Sequence, residues 1–180
     1  MPVQLLLSML RNPASTGALL PSSRGLARTM ACAACGADRI VELGAGTGSV
    51  THALIENLPR TPLTAVEIQP ALANTLRQRF PGIDIRQAPA DQIINALAEQ
   101  SGRIVLVSSL PFRSLPQEVR LNTVASLCGF LAGHPERRLV QFTYQPRAPF
   151  RVPDGLQWAH IATVWANTPP AGVWELRARA

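Results

Sequence analysis

Glu42, Gly44, Gly46 and Gly48 recur at every second position in VELGAGTGS, and a second carboxylate, Glu67, follows Gly48 by nineteen residues. Glycines at this spacing let a chain turn sharply and bring its backbone against a ligand. Thr47 or Ser49 is then placed to cap a following helix whose amide end faces that ligand. An acid at the end of the next strand is where doubly wound folds grip a ribose diol. The two features together point to a nucleoside site. The spacing is G-x-G-x-G, so the dinucleotide fingerprint G-x-G-x-x-G is absent. Farther on, Asp91 in RQAPADQI reads either as a third ligand contact or as the N-cap of a helix at Gln92. Ile68, next to Glu67, and Ser108, ending the apolar run RIVLVS, complete this candidate set. A second group follows: the turn Ser109-Leu110-Pro111-Phe112, then Tyr144 and Arg147 in QFTYQPRAP. A strand-ending turn, a core aromatic and a solvated loop charge are the alternative readings of these three features.

The remaining composition narrows the chemistry. The chain has 180 residues and 17 basic side chains, all of them Arg, against 11 acidic ones, a formal charge of +6. Without Lys there is no Schiff base and no P-loop ammonium. The basic balance suits an anionic partner without choosing among nucleic acid, acidic lipid and phosphorylated small molecule. Cys32, Cys35 and Cys128 are too few for a disulfide framework, and Cys32 with Cys35 reads as core packing on one helix face. His52, His134 and His160 lack ligand spacing, so no metal site is expected. Trp158, Trp165 and Trp174 read as core filling on a terminal hairpin. No apolar run is long enough for a spanning helix. The start MPVQLLLSML lacks a basic n-region, so export is not expected; residues 1–37, with three Arg and no acid, also suit an organellar transit peptide.

Strand-length apolar runs alternate with helical stretches to position these residues. RIVEL precedes a helix over Ser49 to Leu58, LTAVEI one over Pro70 to Phe80, IDIR one over Asp91 to Gln100, and RIVLVSS one over Gln117 to Leu131, before RLVQFTY. This pattern predicts βαβ units and a parallel sheet covered on both faces. WAHIATVWAN, a PPAG turn and VWELRAR add an antiparallel pair. The expected fold is therefore α/β, a doubly wound, mostly parallel seven-stranded sheet with a C-terminal antiparallel hairpin. Residues 1–37 are read as a helical leader and 38–180 as the main domain. In the leader Val3 to Leu10 is nearly all apolar, and Ser22 or Ser23 caps a helix in RGLARTMACAA, forming a membrane-surface element or a lid.

E-x-G-x-G-x-G resembles the S-adenosylmethionine loop of class I methyltransferases, in which the leading acid lies near the methionine amino group. Ser109-Leu110-Pro111-Phe112 resembles the N-L-P-Y turn of amine-directed members, with Ser replacing Asn. RNPASTGALLPSSRGLARTM, VELGAGTG, SSLPFRSLP, QFTYQPRAP and VWANTPPAGVW occur in order. Together they resemble the bacterial phospholipid N-methyltransferases, which methylate phosphatidylethanolamine, over nearly the whole chain. The resemblance implies a Rossmann-like class I fold with S-adenosylmethionine as cofactor and a phospholipid headgroup amine as acceptor. Ser109, Phe112, Tyr144 and Arg147 would then form the acceptor site, with Phe112 and Tyr144 facing the developing ammonium and Arg147 gripping the phosphodiester. It also implies a cytoplasmic protein, peripheral on the inner face of the cytoplasmic membrane, docked through Val3 to Leu10 with Arg11, Arg24 and Arg28 near lipid phosphates. The sequence departs from the common adenine loop, where Ala88 and Pro89 replace an Asp and an amide donor. Two rivals remain: an rRNA adenine N-methyltransferase-like enzyme, which shares the strand-four turn, and a non-catalytic S-adenosylmethionine-binding module. The apolar leader and the lack of a recognition domain after the sheet argue against nucleic acid. Oligomeric state is left open.

Overall fold

A computed structural model describes residues 23–179. Seven strands form one sheet: β1 (Arg39–Leu43), β2 (Leu63–Val66), β3 (Asp84–Arg86), β4 (Ile104–Ser108), β5 (Arg138–Thr143), β6 (Leu156–Val164) and β7 (Ala171–Ala178). Five helices accompany them: α1 (Arg24–Ala33), α2 (Ser49–Asn57), α3 (Pro70–Arg79), α4 (Ala90–Ala96) and α5 (Gln117–Leu131). The strand order is β3-β2-β1-β4-β5-β7-β6, parallel through β5, with β7 antiparallel to both β5 and β6. This is the expected doubly wound sheet with its closing hairpin. The order reverses between β1 and β4, where Leu43 lies opposite Ser108, and the crevice beyond that point is where such folds bind ligands.

Strand alternation sorts the core onto two faces. Val41, Leu43, Leu106 and Leu139 pack with Ile94 of α4 and Leu127, Phe130 and Leu131 of α5. Ile40, Val105, Val107, Val140 and Val173 pack on the other side with α1 and with Val50, Ala53 and Leu54 of α2. Leu76 of α3 and Phe80 close a smaller cluster with Ala45, Ala65 and Ile85.

α1 belongs to this core. Its Leu26, Ala27, Met30 and Ala31 are all buried, and burying Leu26 and Met30 contributes roughly 1.5 to 3 kcal/mol each. Ser23 caps it, its hydroxyl accepting from the Leu26 amide at 3.2 Å, and the Ser23 amide donates to Asn167 Oδ1 at 3.3 Å. α1, on the leader side of the boundary drawn after residue 37, packs on the sheet face through its apolar residues. Val3 to Leu10 and Arg11 lie outside the described residues. Cys32 and Cys35, expected in the core, are exposed free thiols on the outer side of α1's end. Trp165 is likewise not core but 79% exposed, on the turn between β6 and β7, whereas the Trp158 indole N–H donates to the Phe150 carbonyl. No helix of the described residues is long and apolar enough to cross a membrane.

Candidate active site

The C-terminal ends of β1, β2 and β4 meet at one cavity, lined among others by Gly44, Gly46, Glu67, Ile68, Asp91 and Ser109. The loop after β1 is held by two amides, those of Gly44 and Ala45, which donate to the Val66 carbonyl at 2.9 and 3.0 Å. Glu67 holds it as well. Its Oε2 accepts from the Gly46 amide at 2.9 Å and its Oε1 from the Gln69 amide at 2.9 Å, with the residue 5% exposed. Each carboxylate oxygen keeps a further lone pair, so Glu67 can still receive a ribose hydroxyl.

Two glycines are required here for different reasons. Gly44 has φ +75°, a conformation L side chains rarely adopt, and a Cβ there would stand 2.8 Å from Leu110 Cδ2, so the Leu110 side chain of the strand-four turn would have to shift. Gly48, at φ +83°, would set a Cβ 2.6 Å from Phe80 Cε2, and it does not line the cavity. Its role is packing against α3. Gly48 is also the N-cap of α2, with no side-chain acceptor, so neither Thr47 nor Ser49 caps that helix.

Glu42 and Ser108 also stand outside the lining. Alternation puts Glu42 with Ile40 on the α2 face, fully buried, where Thr51 Oγ1 donates to its Oε2 at 2.6 Å and Oε1 has no partner. Burial pushes this carboxyl up to about 7, against the Thr51 hydrogen bond and with the Glu67 charge adding to the rise. Ser108 is buried and its hydroxyl accepts from the Leu110 amide at 3.2 Å, which shapes the following turn. Asp91 sits within the first turn of α4, after the N-cap Pro89, and lines the cavity with Ala88 and Pro89, so the capping reading does not hold.

A second cavity adjoins the first. Ser109, Leu110 and Pro111 line both, and the second continues past Phe112, Gln141 and Tyr144. Phe112 is 4% exposed, packed 4.6 Å from the Phe150 ring, so most of its face serves the core. Tyr144 is half-buried, edge-on to Phe142 at 5.4 Å. Arg147 does not line this cavity. It lies in an adjoining groove with Arg113, Arg120 and Arg151, reached past Phe112, Arg113 and Pro149. Gln141 escaped the sequence reading. It is 2% exposed, and its Nε2 donates to the carbonyls of Leu110 at 3.2 Å and Phe142 at 2.8 Å, which braces the turn between the cavities. A polar residue interrupting the buried strand RLVQFT was the available signal.

No family model matches the chain. Over 67 residues, 37% of this chain, it is 39% identical to an uncharacterized methyltransferase-like protein of Schizosaccharomyces pombe, 25% of which is covered. Over 75 residues, 42% of this chain, it is 33% identical to the ribosomal RNA small subunit methyltransferase A of Bordetella pertussis, 28% of which is covered. The chain spans about a quarter of the length of the curated relatives it matches. Among solved structures, a TehB-like SAM-dependent methyltransferase from Corynebacterium glutamicum superposes with a TM-score of 0.61 at 16% identity, covering 98% of each chain. The fold is that of the class I methyltransferases. The curated proteins that share these stretches are named as methyltransferases, and the structure neighbour as SAM-dependent. The residues fit S-adenosylmethionine: Glu67 offers a carboxylate for the ribose, and Val66, Ile68, Leu72 and Leu115 offer an apolar wall for a base.

Proposed function

We propose that the protein transfers a methyl group from S-adenosylmethionine to the amine of a membrane phospholipid headgroup such as phosphatidylethanolamine. The observation that carries this is the pair of adjoining cavities: the second shares the Ser109-Leu110-Pro111 turn with the first and opens past Arg113 onto the groove that holds Arg147. An amine at the shared turn thus has an anionic group's partners at hand on the outer side.

The cofactor supplies a methyl carbon made electrophilic by its sulfonium. Glu67 and the glycine loop would hold that group, and a neutral amine at the Ser109-Leu110-Pro111 turn would be positioned in line with its methyl carbon. Ser109, with the Leu110 carbonyl braced by Gln141, positions the nitrogen, and the Tyr144 ring favours its growing positive charge. Arg147 meets the phosphate from its groove rather than from the cavity wall. The same reading places the protein on the inner face of the cytoplasmic membrane, with Val3 to Leu10 as one docking element.

A second reading is favoured by the curated likeness to ribosomal RNA methyltransferases, since an adenine amine at the same turn and a phosphate backbone on the same arginines would use similar contacts. Incubation with a labelled methyl donor, phosphatidylethanolamine and ribosomal RNA separates them. Label is expected in the lipid extract. Label in RNA alone would establish the second reading, and cofactor binding without transfer to either would leave a non-catalytic binding module.

A further inference from the structure

Three large apolar side chains are exposed among the described residues: Leu121 at 55%, Ile161 at 46% and Trp165 at 79%. Two of them lie in separate grooves that each adjoin the second cavity. Leu121 lies in the groove of Arg113, Arg120, Arg147 and Arg151, which joins the cavity through Phe112 and Pro149. Trp165 lies in another groove, beside Trp174 and the Pro169-Pro170 turn, that joins the cavity through Tyr144 and Gln145. No acidic side chain lines either groove, and among the described residues none of the four arginines has a carboxylate in ion-pair range.

We propose that this face is a docking surface for an anionic bilayer, with Trp165 and Leu121 entering the headgroup layer from the two grooves beside the cavity and the four arginines meeting lipid phosphates. An indole ring settles at the boundary between headgroups and hydrocarbon, where its apolar body and its N–H are both served. Guanidinium groups grip phosphate oxygens in pairs, and each near an anionic surface strengthens partitioning roughly fivefold at low salt. The grooves put both kinds of group around one opening, so a docked protein presents its cavity to the headgroups. The choice of bilayer rests on the headgroup reading of that cavity. The aliphatic Leu121 and Val124 beside the arginines also suit hydrocarbon better than a stacked base.

The test uses the full chain and vesicles of phosphatidylglycerol and phosphatidylcholine, which contain no primary amine, so docking is read apart from catalysis. The parent is expected to co-sediment at low salt, with a blue shift of its tryptophan emission that Trp165→Phe largely removes. Arg120→Gln combined with Arg151→Gln is expected to weaken partitioning at least tenfold. Circular dichroism and calorimetry with S-adenosylhomocysteine verify the fold of each variant. Partitioning unchanged in the arginine variant and in Trp165→Ser would overturn the proposal, as would a parent that ignores vesicles or shifts its emission only with single-stranded RNA. Vesicle binding without methylation of phosphatidylethanolamine would support docking and remove the headgroup reading. Methylation of short-chain soluble phosphatidylethanolamine without vesicle binding would do the reverse.

Discussion

Both oxygens of Glu67 are engaged by backbone amides before any ribose arrives, so its removal loosens the glycine loop as well as the ligand. Glu67→Ala is expected to weaken S-adenosylhomocysteine binding by roughly 2 to 4 kcal/mol in calorimetry and to lower stability by about 1 to 2 kcal/mol, as two part-buried amides lose their acceptor. Unchanged affinity would remove Glu67 from the site. Glu42 sets a pH dependence of its own. Below its ordinary value of 4.5 the carboxyl is protonated in folded and unfolded chains alike. From there to about 7 the unfolded chain releases the proton while the folded one keeps it, so stability falls as pH rises and the full cost stands above that range. Urea titrations should show up to about 3 kcal/mol of this loss, absent in Glu42→Gln. Gly44, Gly46 and Glu67 were legible because their spacing is itself the local geometry. Glu42 was legible as an acid but not as a buried one on the α2 face, since burial is decided by the helix laid over it. Arg147 sits outside the cavity because the loop after β5 turns toward α5, which no residue type in that loop foretells.

At the scale of elements, helix ends and strand edges are joined by arginines. Arg137, just before β5, is 1% exposed and donates to the carbonyls of Phe130, Ala98 and Gln100, with its guanidinium 4.5 Å from the Phe130 ring. The last turn of α5 and the segment after α4 thus end on one cation, which complements the carbonyl ends of helices. Arg137→Met should cost about 3 kcal/mol, read as a lower urea midpoint, because three carbonyls are stranded. Cofactor affinity in the folded variant should stay within a few-fold; a large drop there would mean that this joint reaches the site. The strands and helices themselves were readable from periodicity, because a sheet covered on both faces needs short, wholly apolar runs. The helix α4 ends at Ala96, earlier than its apolar pattern suggested, and the chain beyond it supplies the carbonyls that Arg137 takes.

For the whole molecule, α1 lies on β5, β6 and β7 as well as on α2, so the start and the end of the described chain share one core. Thermal unfolding followed by far-ultraviolet circular dichroism and by tryptophan emission should therefore give coincident single transitions. An early, separate loss of helix signal would show α1 melting as a leader apart from the sheet. That the helix after Ser23 would form was evident in the sequence; that it would close the face over Val140 and Val173 was not, because its partners lie more than a hundred residues away. The position of β7 between β5 and β6 bears on how the protein is made. A ribosome delivers β6 before β7, yet β6 has no neighbour in the sheet until β7 has emerged and paired with β5. During that interval the nascent chain carries an open β5 edge and an unpaired nine-residue strand, the kind of surface that chaperones cover and that invites pairing between chains.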